Sequence, residues 1–239
     1  MAGGHGRDRK TSRDCRDQHR SRDPRARKGR VVSDTPQVDF WRGAFGDAYT
    51  DRNALSGDAL RARTAMWARV LEPVRSRPPA SVLEVGANVG INLRALSGLL
   101  DADLYAVEPN AAARGRLSES GLVQPDHVFD ATGDDLPLAD GAVEMVFTSG
   151  VLIHVAPERL EATCREMHRV SSRLIACVEY FSVSPEERTY RDHSERLFKR
   201  DFGGFWWDLF PDLRLLDYGF FWRRATGLDD LTWWLFEKP

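Results

Sequence analysis

Val82-Leu83-Glu84-Val85-Gly86-Ala87-Asn88-Val89-Gly90-Ile91-Asn92 is the stretch from which the rest of the chain is read. Ser81–Val85 is short, apolar and rich in β-branched residues, the composition of a buried strand. The run breaks at Gly86 and turns tightly. From Gly90 an amphipathic segment opens, with Ile91, Leu93, Leu96, Leu99 and Leu100 at helical spacing. Strand, glycine turn and helix make the first half of a mononucleotide-binding unit. In such a unit the backbone is expected to pass close to a ligand, because two positions carry no side chain.

The spacing narrows the ligand. A dinucleotide fingerprint needs G-x-G-x-x-G, with its outer glycines five positions apart. Here Gly86 and Gly90 are four apart and Asn88 stands where the middle glycine would be, which leaves no close seat for a pyrophosphate. Glu84 at the strand end would repel phosphate and welcome an ammonium group. E-x-G-x-N-x-G resembles the first motif of the class I methyltransferases that use S-adenosylmethionine. The resemblance implies that Glu84, Gly86, Asn88, Gly90 and Asn92 hold the amino-acid end of that cofactor.

The strands that follow fit the same frame. A second strand, Asp103–Val107, ends in Glu108-Pro109-Asn110, placing an acid eighteen positions after Gly90. Such folds accept ribose hydroxyls at that point, and a carboxylate offers two acceptor oxygens to two vicinal hydroxyls. Asn110 is counted with Glu108. A third strand is expected at His127–Ala131, followed by the loop Thr132-Gly133-Asp134-Asp135-Leu136-Pro137. In the methyltransferases that this loop resembles, it grips adenine. Their usual Asp is replaced here by Thr132, with Asp130, Asp134 and Asp135 nearby, so Thr132, Gly133 and Asp134 are the candidates. Strand four, Val143–Thr148, leads into Ser149-Gly150-Val151-Leu152-Ile153-His154. Ligands lie at the carboxyl edge of a parallel sheet, which puts Ser149 by the cofactor and His154 by the reaction. His154 reads either as a structural hydrogen-bonding partner or as a general base, since imidazole titrates near neutrality. A helix Glu158–His168 and a long apolar strand Arg173–Phe181 complete the parallel part, and Leu213–Arg223 with Leu231–Lys238 make a final hairpin.

Composition sets the outer bounds. With 239 residues the chain suggests one sizeable domain with appendages, and seven tryptophans are enough for a large core. No apolar run approaches the roughly 18–20 residues that span a bilayer, and nothing at the N-terminus resembles a secretory signal. Cys15, Cys164 and Cys177 are scattered and lack metal spacing, so no metal is expected and a reducing cytoplasm is. Residues 1–30 hold eleven Lys or Arg against four Asp, in a chain whose net charge is −2. This tail has no large apolar residue after Met1 and is expected to be disordered. It lacks the interleaved aromatics of a nucleic-acid arm, and the acidic remainder argues against a phosphate track.

Two further blocks carry acceptor chemistry. Phe40–Asn53 is dense in aromatics and reads as a short amphipathic helix covering one edge of the core, or as a lid whose Tyr49 and Arg52 reach the cofactor's carboxylate; the two are compatible. A helix Asp58–Glu72 follows, with Leu60, Trp67, Val70 and Leu71 as its stripe. The block Tyr190–Phe202 sets four basic side chains and His193 among aromatics. It reads either as a solvated helix face or as an active-site wall in which Tyr190, Arg191, His193 and Arg196 meet a carboxylate-bearing or polar acceptor.

With the entry Phe-Trp…Phe-Gly-Asp-x-Tyr-x-x-Arg-Asn, with Gly150–His154 and with Asp229–Trp233, this block is similar to the methylases associated with pseudaminic acid biosynthesis. The likeness runs from about Phe40 to Lys238. Asp192 departs from the Gly of many relatives, and Trp206-Trp207 adds bulk that could reshape the pocket. The resemblance implies a small, sugar-like acceptor methylated at N or O.

The reading is thus an α/β doubly wound domain with a mostly parallel seven-stranded sheet and an antiparallel C-terminal hairpin. Residues 1–36 form a basic tail, 37–76 a helical cover and 77–239 the cofactor domain, with 183–210 as substrate wall. The competing readings are a nucleic-acid methyltransferase using the tail and a non-catalytic cofactor-binding scaffold.

Overall fold

The computed structural model describes Met1 and residues 36–52, 56–190 and 193–239; for Arg52, 188–190 and 193–196 it describes the backbone alone. One seven-stranded sheet organises them. Its strands are β1 (Ser81–Val85), β2 (Asp103–Val107), β3 (Val128–Phe129), β4 (Val143–Ser149), β5 (Ser171–Glu179), β8 (Arg214–Phe221) and β9 (Leu231–Glu237), in the order β3-β2-β1-β4-β5-β9-β8. β1 pairs in parallel with β2 and β4, and β4 with β5, while β9 runs antiparallel to both of its neighbours. The strand order reverses between β1 and β4, the position at which open α/β sheets bind ligands.

The inner strands β1, β2, β4, β5 and β9 are buried on both faces, which is why they read as continuous apolar runs, while the edge strand β8 is largely exposed. Period-two alternation divides them cleanly. Val82, Phe147, Ala176, Trp233 and Leu235 face a layer formed by α3 (Gly57–Val70), α4 (Ile91–Ser97) and α5 (Ala111–Glu119), which contributes Met66, Trp67, Val70, Leu93, Leu96 and Leu117. Leu83, Val85, Val146, Ile175, Cys177, Trp234 and Phe236 face α6 (Pro157–Val170) and α7 (Phe202–Leu209), with Leu160, Cys164, Met167, Phe202 and Trp206. Ser56 caps α3 by accepting from Ala59 N (3.1 Å), and Asn110 caps α5 by accepting from Ala113 N (2.9 Å).

Several boundaries differ from the sequence reading. β3 keeps only two of the five residues expected, because its register with β2 ends at Phe129 and the chain then leaves the sheet. α4 stops at Ser97, before Gly98, and Leu99 falls off the stripe with 38 % of its surface exposed. The aromatic entry is two helices, α1 (Pro36–Arg42) and α2 (Ala44–Arg52), broken at Gly43. A Cβ on Gly46 would lie 1.8 Å from Trp41 O, so α2 folds back on α1 more closely than any side chain would allow. The solvated-helix alternative for 190–202 is not what forms. Instead β6 (Glu186–Tyr190) and β7 (His193–Lys199) make an antiparallel hairpin, with Tyr190 opposite His193, and β7 packs against a 3-10 turn at Leu152–His154.

Candidate active site

A cavity of about 650 Å³ opens over the carboxyl ends of β1, β2 and β4, at the switch point. Its floor is the glycine turn. Gly86, Asn88 and Gly90 have φ of 76°, 47° and 78°, left-handed values that cost a side chain least at glycine and asparagine. The reason for the glycines differs in part from the sequence reading. A Cβ on Gly86 would lie 2.7 Å from Val151 Cγ2, and one on Gly90 2.6 Å from Leu117 Cδ1. The space that each leaves is taken by neighbouring protein, which lets the β4 loop and α5 close against the turn.

Glu84 is buried at the end of β1. One carboxylate oxygen, Oε1, accepts from Asn92 Nδ2 (2.7 Å). That amide is itself oriented by Trp67, whose Nε1 donates to Asn92 Oδ1 (3.2 Å). The other oxygen, Oε2, is buried without a partner, although Glu84 lines the cavity. Burial pushes the Glu84 carboxyl up to about 8, against the lowering by the Asn92 hydrogen bond and by the nearby Arg63 guanidinium. Arg63 reaches in from α3, half-buried, with Nη1 3.3 Å from Ser149 Oγ and 3.7 Å from Met66 Sδ. A cation and an orphaned carboxylate oxygen thus line the same end of the cavity.

Glu108 follows β2 beside Gly86, whose N–H donates to Val107 O (2.8 Å). Its Oε2 accepts from Asn88 N (2.7 Å) and its Oε1 from Asn110 N (2.8 Å), leaving further acceptor capacity on both oxygens. Burial raises its pKa and these two N–H groups oppose the rise. Asn88 Oδ1 is buried without a partner. The Asn110 side chain lines the cavity but is committed elsewhere: besides capping α5, its Nδ2 donates to Trp41 O (3.1 Å) and Asp47 Oδ1 (2.8 Å). Farther along, Thr132, Gly133 and Asp134 line the wall. Thr132 Oγ1 donates to Asp134 Oδ1 (2.6 Å), and Asp134 pairs with Arg159. Asp130 is exposed and pairs with Arg114 (2.8 Å) and Arg42 (3.3 Å), outside the cavity lining.

α1 and α2 roof the cavity. Trp41 is tied through its carbonyl to Asn110 after β2, and its ring lies 4.7 Å from that of His154 after β4. It therefore bridges the two loops that flank the glycine turn. Tyr49 meets Trp41 edge-on at 5.4 Å, and Gln37 Nε2 donates to His154 O (2.6 Å). Gln37, Trp41, Tyr49, Thr50 and His154 all line the cavity, and Trp41 Nε1 and Thr50 Oγ1 are buried without partners.

The structure brings together Tyr49, Glu84, Gly86, Asn88, Asn92, Glu108, Asn110, Thr132, Gly133, Asp134, Ser149 and His154. The side chains of Arg52, Tyr190, His193 and Arg196, and all of Arg191, lie outside the described residues, as does Asp192. Neither Trp206 nor Trp207 reshapes the cavity: Trp206 is fully buried in the core, and Trp207 is half-exposed with Nε1 on Leu213 O (3.0 Å).

Sequence reasoning missed four contributors. Arg63 sits on the inner face of α3 between Leu60 and Trp67, and a charge on an apolar stripe was the available signal. Arg223 and Asp229 enter from the connection between β8 and β9. Glu179 ends β5, fully buried, with Oε1 accepting from Val151 N and Leu152 N (3.0 Å each); burial pushes it up to about 7 against those bonds. An acid inside an apolar strand was the signal there.

The family model described as a methyltransferase domain matches residues 83–173. No curated protein sequence matches the chain. Among solved structures, the fold is similar to that of a 1,6-didemethyltoxoflavin-N1-methyltransferase from Burkholderia thailandensis with bound 1,6-didemethyltoxoflavin and S-adenosylhomocysteine, at a TM-score of 0.62 and 18 % identity over 87 % of this chain and 92 % of that one. A SAM-dependent methyltransferase from Leishmania major gives a TM-score of 0.65 at 13 % identity, over 85 % and 87 %. The magnesium protoporphyrin IX methyltransferase of Synechocystis PCC 6803, with bound SAM, gives 0.58 at 12 %, over 87 % and 100 %. Residues 83–173 thus match a methyltransferase domain, and the fold is that of solved methyltransferases, two of which hold S-adenosylmethionine or S-adenosylhomocysteine.

The cavity suits that cofactor. An ammonium group would satisfy the orphaned Glu84 Oε2, a carboxylate would meet Arg63, and paired ribose hydroxyls would find open acceptor positions on Glu108. Thr132, Gly133 and Asp134 line the wall that an adenine would meet.

Proposed function

We propose that the protein methylates an N or O atom of a small polar metabolite bound beneath the aromatic roof. The observation that carries this reading is the roof itself. α1 and α2 are fastened to three of the loops at the site, those after β2, β3 and β4, by Asn110 to Trp41, by Arg42 to Asp130 and by Gln37 to His154 O. What remains is a cavity of about 650 Å³, the size of small-molecule sites and not a track for a polymer. No helix among the described residues is long and apolar enough to cross a membrane.

The cofactor supplies an electrophilic methyl group; the chain's task is to align a nucleophile with it and exclude water. Positioning of this kind is worth roughly 7–11 kcal/mol of a barrier. Glu84, Arg63 and Glu108 fix the cofactor's two ends, and Trp41 and Tyr49 close the site above them. His154 is the general base, taking the proton from the acceptor amine or hydroxyl as the new bond forms. Trp41 Nε1 and Thr50 Oγ1 are hydrogen-bonding groups left for the acceptor. The likeness of the Phe40–Asn53 and 190–202 blocks to pseudaminic-acid-associated methylases supports a sugar-like, carboxylate-bearing acceptor, with Tyr190, Arg191, His193 and Arg196 as its wall. In support, β7 packs beside the His154 turn.

The test is transfer of label from methyl-labelled S-adenosylmethionine into a small-molecule extract, with RNA and DNA offered in parallel. Label is expected in low-molecular-weight products. His154→Ala should lower the rate about 10²–10⁴-fold, the worth of a general base, while S-adenosylhomocysteine still binds. Label in nucleic acid alone would overturn the reading.

A further inference from the structure

We infer that Glu179 is a positioning residue: its carboxylate holds the Val151–His154 turn down on the glycine loop and so shapes the cofactor's binding floor. The argument begins with what Glu179 lacks. It is fully buried, and among the described residues no Lys or Arg pairs with it. A buried carboxylate without a cation is costly, and an apolar side chain of similar volume would serve the core better. The hydrogen bonds of one oxygen offset part of that cost, while the other, Oε2, is buried without a partner. Oε1 accepts from the N–H groups of Val151 and Leu152, which begin the 3-10 turn Leu152–His154. The turn has no side-chain cap of its own, and these are the donors that a helix start leaves unsatisfied. Glu179 reaches across from β5 to cap it.

What the turn carries makes this matter for binding. Gly150, at φ 69°, donates its N–H to Val178 O (2.8 Å), so the chain leaves β4 along the end of β5. One residue later Val151 presses against Gly86, where even a methyl group would find 2.7 Å. Val151 and His154 both line the cavity, and His154 O receives the roof through Gln37. One carboxylate therefore braces floor, reacting edge and roof without lining the cavity itself. The inference rests on the cofactor assignment and not on the role given to His154.

The test compares Glu179→Leu with Glu179→Gln in the full chain, reading melting temperature, S-adenosylhomocysteine affinity by calorimetry and exchange of the Val151 and Leu152 amides. Leu removes the acceptor but keeps bulk. It should move the melting temperature by no more than about 4 °C, yet weaken the ligand about tenfold, within the usual range of coupling between sites, and unprotect both amides. Gln keeps one acceptor oxygen and should restore most of the affinity and protection. Parental affinity and protected amides in Glu179→Leu would overturn the inference. So would affinity lost only in proportion to stability in both variants. If the wild type did not bind the ligand, the cofactor assignment would fall, and amide exchange would still decide on Glu179.

Discussion

Binding of the cofactor's ammonium group should expel a proton from Glu84, and the amount follows from the structure. Burial holds the Glu84 carboxyl at about 8, so at pH 7 about nine-tenths of the free protein carries it protonated. An ammonium beside Oε2 favours the ionised form, so complex formation at pH 7 should release about 0.9 proton. Ionising the group at pH 7 costs about 1.4 kcal/mol, a tenfold loss of affinity relative to the ionised protein. Calorimetry of S-adenosylhomocysteine binding in buffers of different ionisation enthalpy reads the proton count directly. Glu84→Gln should abolish the release and weaken binding. It also alters the free protein in a defined direction. A carboxyl whose folded pKa exceeds its unfolded value of about 4.5 stabilises less as pH rises from about 4.5 through about 8. The unliganded Gln variant should therefore melt higher than the parent at pH 8. Tight binding with no proton released at pH 7, or the same release from Glu84→Gln, would refute the reasoning.

Three further outcomes follow from single contacts. Gly86→Ala should cost about 1–3 kcal/mol in thermal unfolding, because it forces a side chain into left-handed backbone against Val151. Trp67→Phe removes the donor that orients Asn92 and should cost about 1–3 kcal/mol in urea unfolding; S-adenosylhomocysteine binding should weaken as Asn92 loses its fixed hold on Glu84. Glu108→Ala should weaken the same ligand by about 1–3 kcal/mol by calorimetry, while NADH gives no heat with either protein.

The fold was legible because its inner strands are buried on both faces and announce themselves without alternation. β1 and β2 fall on the expected residues, and β4 is one residue longer, since each apolar run ends at a glycine, an acid or a serine at the sheet edge. The sheet's short and polar parts were not. β3 is too brief to show a period, and its length is set by register with β2. The 190–202 block mixes charges and aromatics in a pattern that fits a helix face as well as a ribbon. Only pairing of β7 with β6 settles which one forms.

The site divides along the same line. Glu84, Gly86, Gly90 and Glu108 were readable because strand, turn and helix follow one another within a few residues, so sequence spacing is spatial spacing. Arg63 and Glu179 were not, although Arg63 lines the cavity and Glu179 braces it. Arg63 comes from a helix that precedes β1 and reaches the site only because Met66, Trp67 and Val70 lock α3 against α4 and the sheet. Glu179 lies 93 positions after Gly86 and acts through Val151. In both, the visible trace was the same: a charge where the apolar pattern called for none. A buried ionisable group must be matched by something. For Arg63, half-buried near the Glu84 carboxyl, the hydrogen-bond partners among the described residues are a serine hydroxyl and a thioether, which leave donors over for a ligand in the cavity it lines. For Glu179 the match is the backbone of the turn that meets that ligand. The same misfit in the pattern thus marks two different roles, and the hydrogen-bond partners tell them apart.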